Sequence, residues 1–83
     1  MTYRYITDPG HGWIEVSRAE IDALGIRHSI SEYSYQRADM VYLEEDCDAA
    51  LFIRAKAARK EPVQYVEIHQ ENTFVRNLPR FQP

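Results

Sequence analysis

Cysteine occurs once in the 83 residues, glycine three times, and no apolar run is longer than the five residues from Ala49 to Ile53. One cysteine excludes an internal disulfide, the usual staple of small secreted domains, and fits a reducing compartment. A run of five is far short of the roughly 20 residues needed for a membrane-spanning helix. The opening Met1-Thr2-Tyr3-Arg4 lacks the apolar core of a signal peptide, so a cytoplasmic protein is expected. Basic residues are also in the minority, ten against thirteen acidic, which argues against the dominant basic face of a general nucleic-acid binder. There is no internal repeat, no low-complexity segment and no glycine-rich phosphate loop.

What the chain does have is material for one modest core: 45% hydrophobic residues, six of them tyrosine, with three phenylalanines and one tryptophan. A single compact domain over residues 1–83 is expected, alone or as a small symmetric oligomer such as a homodimer. Charge is unevenly spread. From Asp8 to Asp48 ten acidic residues accompany only Arg18, Arg27 and Arg37, whereas Arg54, Lys56, Arg59 and Lys60 form a basic stretch without an acid.

Tyr3 to Thr7 alternates and is rich in β-branched and aromatic residues, which predicts a first strand. Asp8-Pro9-Gly10-His11-Gly12 breaks it with turn chemistry and leads into a second strand, Trp13 to Val16, as a hairpin. Ser17-Arg18-Ala19-Glu20 fits a capping box opening a short helix, with Ile21 and Leu24 inward and Gly25 in the left-handed position after its end. Ile30 to Gln36 predicts a third strand, Arg37-Ala38-Asp39 a turn and Met40 to Leu43 a fourth strand. Asp46 then caps a helix running to about Lys60, whose buried stripe is Ala50, Leu51, Ala55 and Ala58 with Phe52 beside it. Glu61-Pro62 ends that helix. Val63 to His69 predicts a fifth strand, and Thr73-Phe74-Val75 a short edge strand. The fold class is therefore α+β, an antiparallel sheet of about five strands with two helices on one face, in the order ββαββαβ.

The run Glu44-Glu45-Asp46-Cys47-Asp48 concentrates four carboxylates where strand passes to helix. Acids at a helix start oppose the positive end of its dipole, as Arg54, Lys56, Arg59 and Lys60 match the negative end. About two acids meet that need, so the surplus predicts a face that docks a basic partner. Asp46 and Asp48 have a spacing seen in calcium loops, but the further oxygen ligands and central glycine of such a loop are missing. Cys47 in the first turn reads as a small buried residue, because the carboxylates around it counter the dipole's activation of a thiol. His11, His28 and His69 are scattered without zinc-ligand spacing. No catalytic residue, metal site or cofactor is expected, and His11 reads as a residue stabilising its glycine-framed turn. Tyr3/Tyr5 and Tyr33/Tyr35 each share a strand face. Glu32, next to the latter pair where a base platform would need a basic residue, disfavours base stacking and favours core packing or protein recognition.

Asp8-Pro9-Gly10-His11-Gly12-Trp13, Ile30-Ser31-Glu32-Tyr33-Ser34-Tyr35 and Val41-Tyr42-Leu43-Glu44-Glu45-Asp46-Cys47-Asp48-Ala49 together resemble the pattern of a group of small proteins carried by bacteriophages and mobile elements. The resemblance spans about the first 53 residues and brings no active site with it. It implies a context in which small acidic-faced proteins bind and block a host machine, CRISPR surveillance complexes included. The expected function is thus a non-enzymatic interaction protein, an anti-CRISPR-like inhibitor of a host protein or ribonucleoprotein with a basic surface. Glu44, Glu45, Asp46 and Asp48, helped by Glu32 and Asp39, would supply the charge, and Trp13, Tyr33 and Tyr35 the anchors. The alternative is an accessory nucleic-acid-binding protein using Arg54, Lys56, Arg59 and Lys60 on phosphates.

Overall fold

The computed structural model describes residues 2–83 and shows an α+β fold in the expected order of elements. The strands are β1 (Thr2–Thr7), β2 (Gly12–Ser17), β3 (Tyr35–Arg37), β4 (Met40–Glu44) and β5 (Gln64–His69). The helices are α1 (Arg18–Ala23) and α2 (Asp48–Ala58), with 3-10 turns at Arg27–Ser29 and Phe74–Asn77. The strands form one sheet in the order β3-β4-β2-β1-β5. Three pairings are antiparallel, as expected, but β5 runs parallel to β1, with Tyr3 opposite Tyr65 and Tyr5 opposite Glu67. The chain's own geometry requires this. β1 and β4 both lie antiparallel to β2 and so point the same way, and α2 carries the chain back across the sheet to start β5 in that direction.

Strand alternation sorts the core into two layers. Tyr3, Ile14, Val16, Val41 and Leu43 face one side, where Ile21 of α1 and Ala49 and Phe52 of α2 cover them. Both helices therefore lie on one sheet face. On the other, Ile6, Trp13 and Tyr42 are covered by Val75, with Phe74 and Leu78 packed beside them. The tail thus supplies a lid of 3-10 turn at Thr73-Phe74-Val75, where an edge strand was expected. Edge pairing occurs later, where Arg80 bridges to Tyr35, the Gln36 amide donates to Pro79 and the Phe81 amide donates to Ser34.

Helix α1 starts as its sequence indicates, with the Ser17 hydroxyl accepting from the Glu20 amide at 3.1 Å. The Glu20 side chain, however, does not complete the box. It accepts from Tyr3 and Lys56, both at 2.7 Å. Gly25 adopts φ +71°, and the amides of Gly25 and Ile26 close the helix end on Asp22 and Ile21. Helix α2 departs more. Its buried residues are Asp48, Ala49, Phe52 and Lys56, so Phe52 lies at the centre of the stripe and Ala58 is exposed. Its cap position is Cys47, without a side-chain hydrogen bond, and not Asp46.

The expected third strand shrinks from Ile30–Gln36 to Tyr35–Arg37 because the serines before it are engaged elsewhere. Buried Asp48 accepts from the Ser31 amide at 3.1 Å, from the Ser31 hydroxyl at 2.6 Å and from the Ser34 hydroxyl at 2.5 Å. Those bonds fold the Ser31–Ser34 segment onto the start of α2. Strand β5 is the opposite edge, and all of its residues except Ile68 are exposed. Among the described residues no helix is long and apolar enough to cross a membrane.

Candidate functional site

The loop between β1 and β2 begins with an Asx turn. Asp8 accepts from the amides of Gly10 and His11 at 2.9 and 2.8 Å, and its own amide donates to the His11 carbonyl. Arg76 from the tail grips the same carboxylate through Nε and through Nη2, the latter at 3.1 Å. These charge-assisted bonds hold the Asp8 carboxyl well below the usual range. Arg76 in turn lies over the Trp13 ring, 5.4 Å from its centroid. The loop that presents His11 is therefore fastened from two sides.

Beside it, the end of β4 leads into the acidic run. The Glu45 amide donates to the Gly12 carbonyl at 3.0 Å, and Tyr5 donates to the Glu45 carboxylate at 2.7 Å. Gly12 makes that second contact possible: a Cβ there would overlap the Tyr5 ring. One oxygen of Glu44, Oε2, accepts from the Asp46 amide at 3.0 Å, while Oε1 faces His11 Nδ1 at 3.9 Å. Burial raises the Glu44 carboxyl, and the negative charge of Asp46 adds to this.

These groups line a cleft of about 460 Å³ formed by His11, Trp13, Tyr33, Tyr35, Glu44, Asp46, Cys47, Arg76 and Arg80. Tyr33 is 60% exposed. Arg80 lies over the Tyr35 ring at 5.2 Å and donates to the Glu32 backbone carbonyl. Of the residues expected to bind a partner, Glu44, Asp46, Trp13, Tyr33 and Tyr35 thus line one cleft, while Glu32 meets it only through that carbonyl.

The rest do not join them. Asp48 is 2% exposed and serves the serine network, so it presents no charge to a partner. Trp13, although it lines the cleft, is only 2% exposed and so is not the exposed anchor expected. Glu45 is half-buried on Tyr5. Asp39 precedes β4 and lies at the opposite end of that strand from Glu44. The acidic face is therefore narrower than the sequence suggests: Asp46 is its freest carboxylate and Glu44 its buried one. Cys47, expected to be buried, is exposed at the cleft. The basic stretch on α2 is likewise partly consumed, since Lys56 is buried between Glu20 and Glu61 and Arg59 donates to the Ala23 carbonyl.

The two arginines of the cleft carry no mark in the sequence as site residues. They reach it because the tail packs over Ile6 and Trp13 and pairs along β3, both long-range events. A scan of protein-family models and searches of curated proteins and of solved structures match nothing to this chain.

Proposed function

We propose that the protein is a non-enzymatic interaction protein whose cleft receives a basic side chain of a partner. In the context its sequence pattern suggests, the partner is a host defence complex whose basic surface would otherwise hold nucleic acid. The observation that carries this reading is the pairing of Tyr33, 60% exposed, with the carboxylates of Glu44 and Asp46 in one cleft. Tyrosine gives contact area at low entropic cost, and the carboxylates give the charge that selects a cation. Arg76 is already neutralised by Asp8, so the cleft retains an excess of negative charge despite its arginines.

The test is competition. The protein should weaken the binding of DNA or RNA to a purified surveillance complex. Asp46→Lys should cost about 2 kcal/mol or more of that affinity by placing like charges together, and Tyr33→Ala a comparable amount. Arg54→Glu with Lys60→Glu, the exposed remainder of the basic stretch, should leave it unchanged. Loss through the basic pair with no effect of Asp46→Lys would replace this reading with direct binding of nucleic acid.

A further inference from the structure

We propose that His11, Glu44 and Asp46 form a binding site for a divalent transition-metal ion of the zinc class, open toward the cleft. The proposal goes beyond the reading of that cleft as the seat of a partner's basic side chain, because an ion held by Glu44 and Asp46 would neutralise them and compete with that side chain for the same carboxylates. One ligand atom from each residue lies within 4.8 Å of the others, and His11 Nδ1 stands 3.9 Å from Glu44 Oε1. Ligands about 2.0–2.2 Å from a tetrahedral zinc ion stand roughly 3.3–3.6 Å apart. The closure required is small, and the side chains of His11 and Asp46, both exposed, are free to supply it.

The surroundings favour this use. Glu44 is fixed by the Asp46 amide on one oxygen, which leaves the other turned to His11. The Asx turn holds the backbone of His11. Among the described residues, neither Glu44 nor Asp46 has a lysine or arginine partner: Arg76 is taken by Asp8, and Arg80 donates to a carbonyl. Trp13, whose buried indole N–H has no hydrogen-bond partner among the described residues, belongs to the lining of the same cleft and so reports on an ion bound there. The donor set selects the class of metal. An imidazole with two carboxylates suits zinc and its neighbours, whereas magnesium and calcium prefer oxygen alone. Three protein ligands leave a coordination position facing the cleft.

The test uses the whole chain, stripped with a chelator and titrated with zinc against a chromophoric competitor. A parallel titration with cobalt is followed by its visible absorption and by quenching of Trp13, the single tryptophan. One equivalent should bind, with the tryptophan quenched by cobalt. His11→Ala and Asp46→Asn should each weaken binding by about tenfold or more, with circular dichroism showing that both variants stay folded. His69→Ala and His28→Ala, both outside the cleft, should retain the wild-type affinity. Absence of zinc binding by the folded wild type, an unaffected His11→Ala, or loss on His69→Ala or His28→Ala alone would each overturn the site. Partner competition measured with and without chelator separates the two readings. Competition by a protein that binds no zinc sinks only the metal site, and zinc binding without competition sinks only the partner.

Discussion

Replacing Asp48 tests the network on which the cleft depends. Its carboxylate accepts from one amide and two hydroxyls, and Ser34, itself fully buried, also accepts from the Glu44 amide at 3.0 Å. Asp48→Ala removes all of the acceptors and leaves buried donors facing nothing. A hydrogen bond to a charged group contributes roughly 1.5–3 kcal/mol, and breaking a buried charged network typically costs about 3–5 kcal/mol. We expect a loss in that range, against a total of about 4–12 kcal/mol for a domain of this length. Asp48→Asn keeps the shape and one acceptor, so its cost should be about half. Urea unfolding monitored by Trp13 fluorescence would measure both, with a midpoint shift of about 2–4 M for the alanine variant. In a cycle with Ser34→Ala the two changes should couple by at least about 1 kcal/mol. A loss below about 1 kcal/mol for Asp48→Ala, or strict additivity with Ser34→Ala, would show that the serines do not depend on this carboxylate.

Other expectations follow from single contacts. Lys56→Met leaves Glu20 without its cation and should cost about 3 kcal/mol in thermal or urea unfolding. Because its partners raise the Lys56 pKa, its contribution is complete below the ordinary lysine value and is lost only as pH rises through the raised one, so this variant's deficit should be constant from neutral to mildly alkaline pH. Gly12→Ala should destabilise by about 1–3 kcal/mol, since a Cβ would displace Tyr5 from Glu45; an unchanged melting point would refute the contact. Asp8 has the opposite sign of dependence. Its lowered pKa stabilises the fold above the ordinary carboxylate value and ceases to do so as pH falls through the lowered one, so the deficit of Asp8→Asn should shrink on acidification. The thiol of Cys47, being exposed, should react with a maleimide in the folded protein at a rate close to that of the unfolded chain; protection would restore the buried reading.

What the sequence made legible was local. Alternation at Tyr3 to Thr7 and Met40 to Leu43, the Asp8-Pro9-Gly10 turn, Ser17 as a cap and Gly25 at φ +71° each depend on neighbours within a few residues, and each is found. Errors arose where a distant partner outbid the local preference. Asp46 looked like the cap of α2, but Asp48 turned inward because Ser31 and Ser34 meet it across the fold, and the same bonds shortened β3. Lys56 looked like a surface cation, yet Glu20 and Glu61 bury it. The cleft was half legible. The second and third motifs contributed Tyr33, Tyr35, Glu44 and Asp46, and the first contributed His11 as a turn residue. That His11 would stand beside Glu44 follows only from the pairing of β2 with β4, in which Trp13 lies opposite Glu44.

Strand β5 is held by β1 alone, and its side chains are almost all in water. Little apolar burial opposes its detachment, while β2 and β4 are sealed between two core layers. The sheet therefore opens from one side. Amide hydrogens of β5 and those β1 amides that bond to it should exchange through a local fraying of the edge, and those of β2 and β4 only when the whole domain unfolds. The cleft lies toward the other edge of the sheet, beside β4 and β3, so this fraying leaves its shape intact.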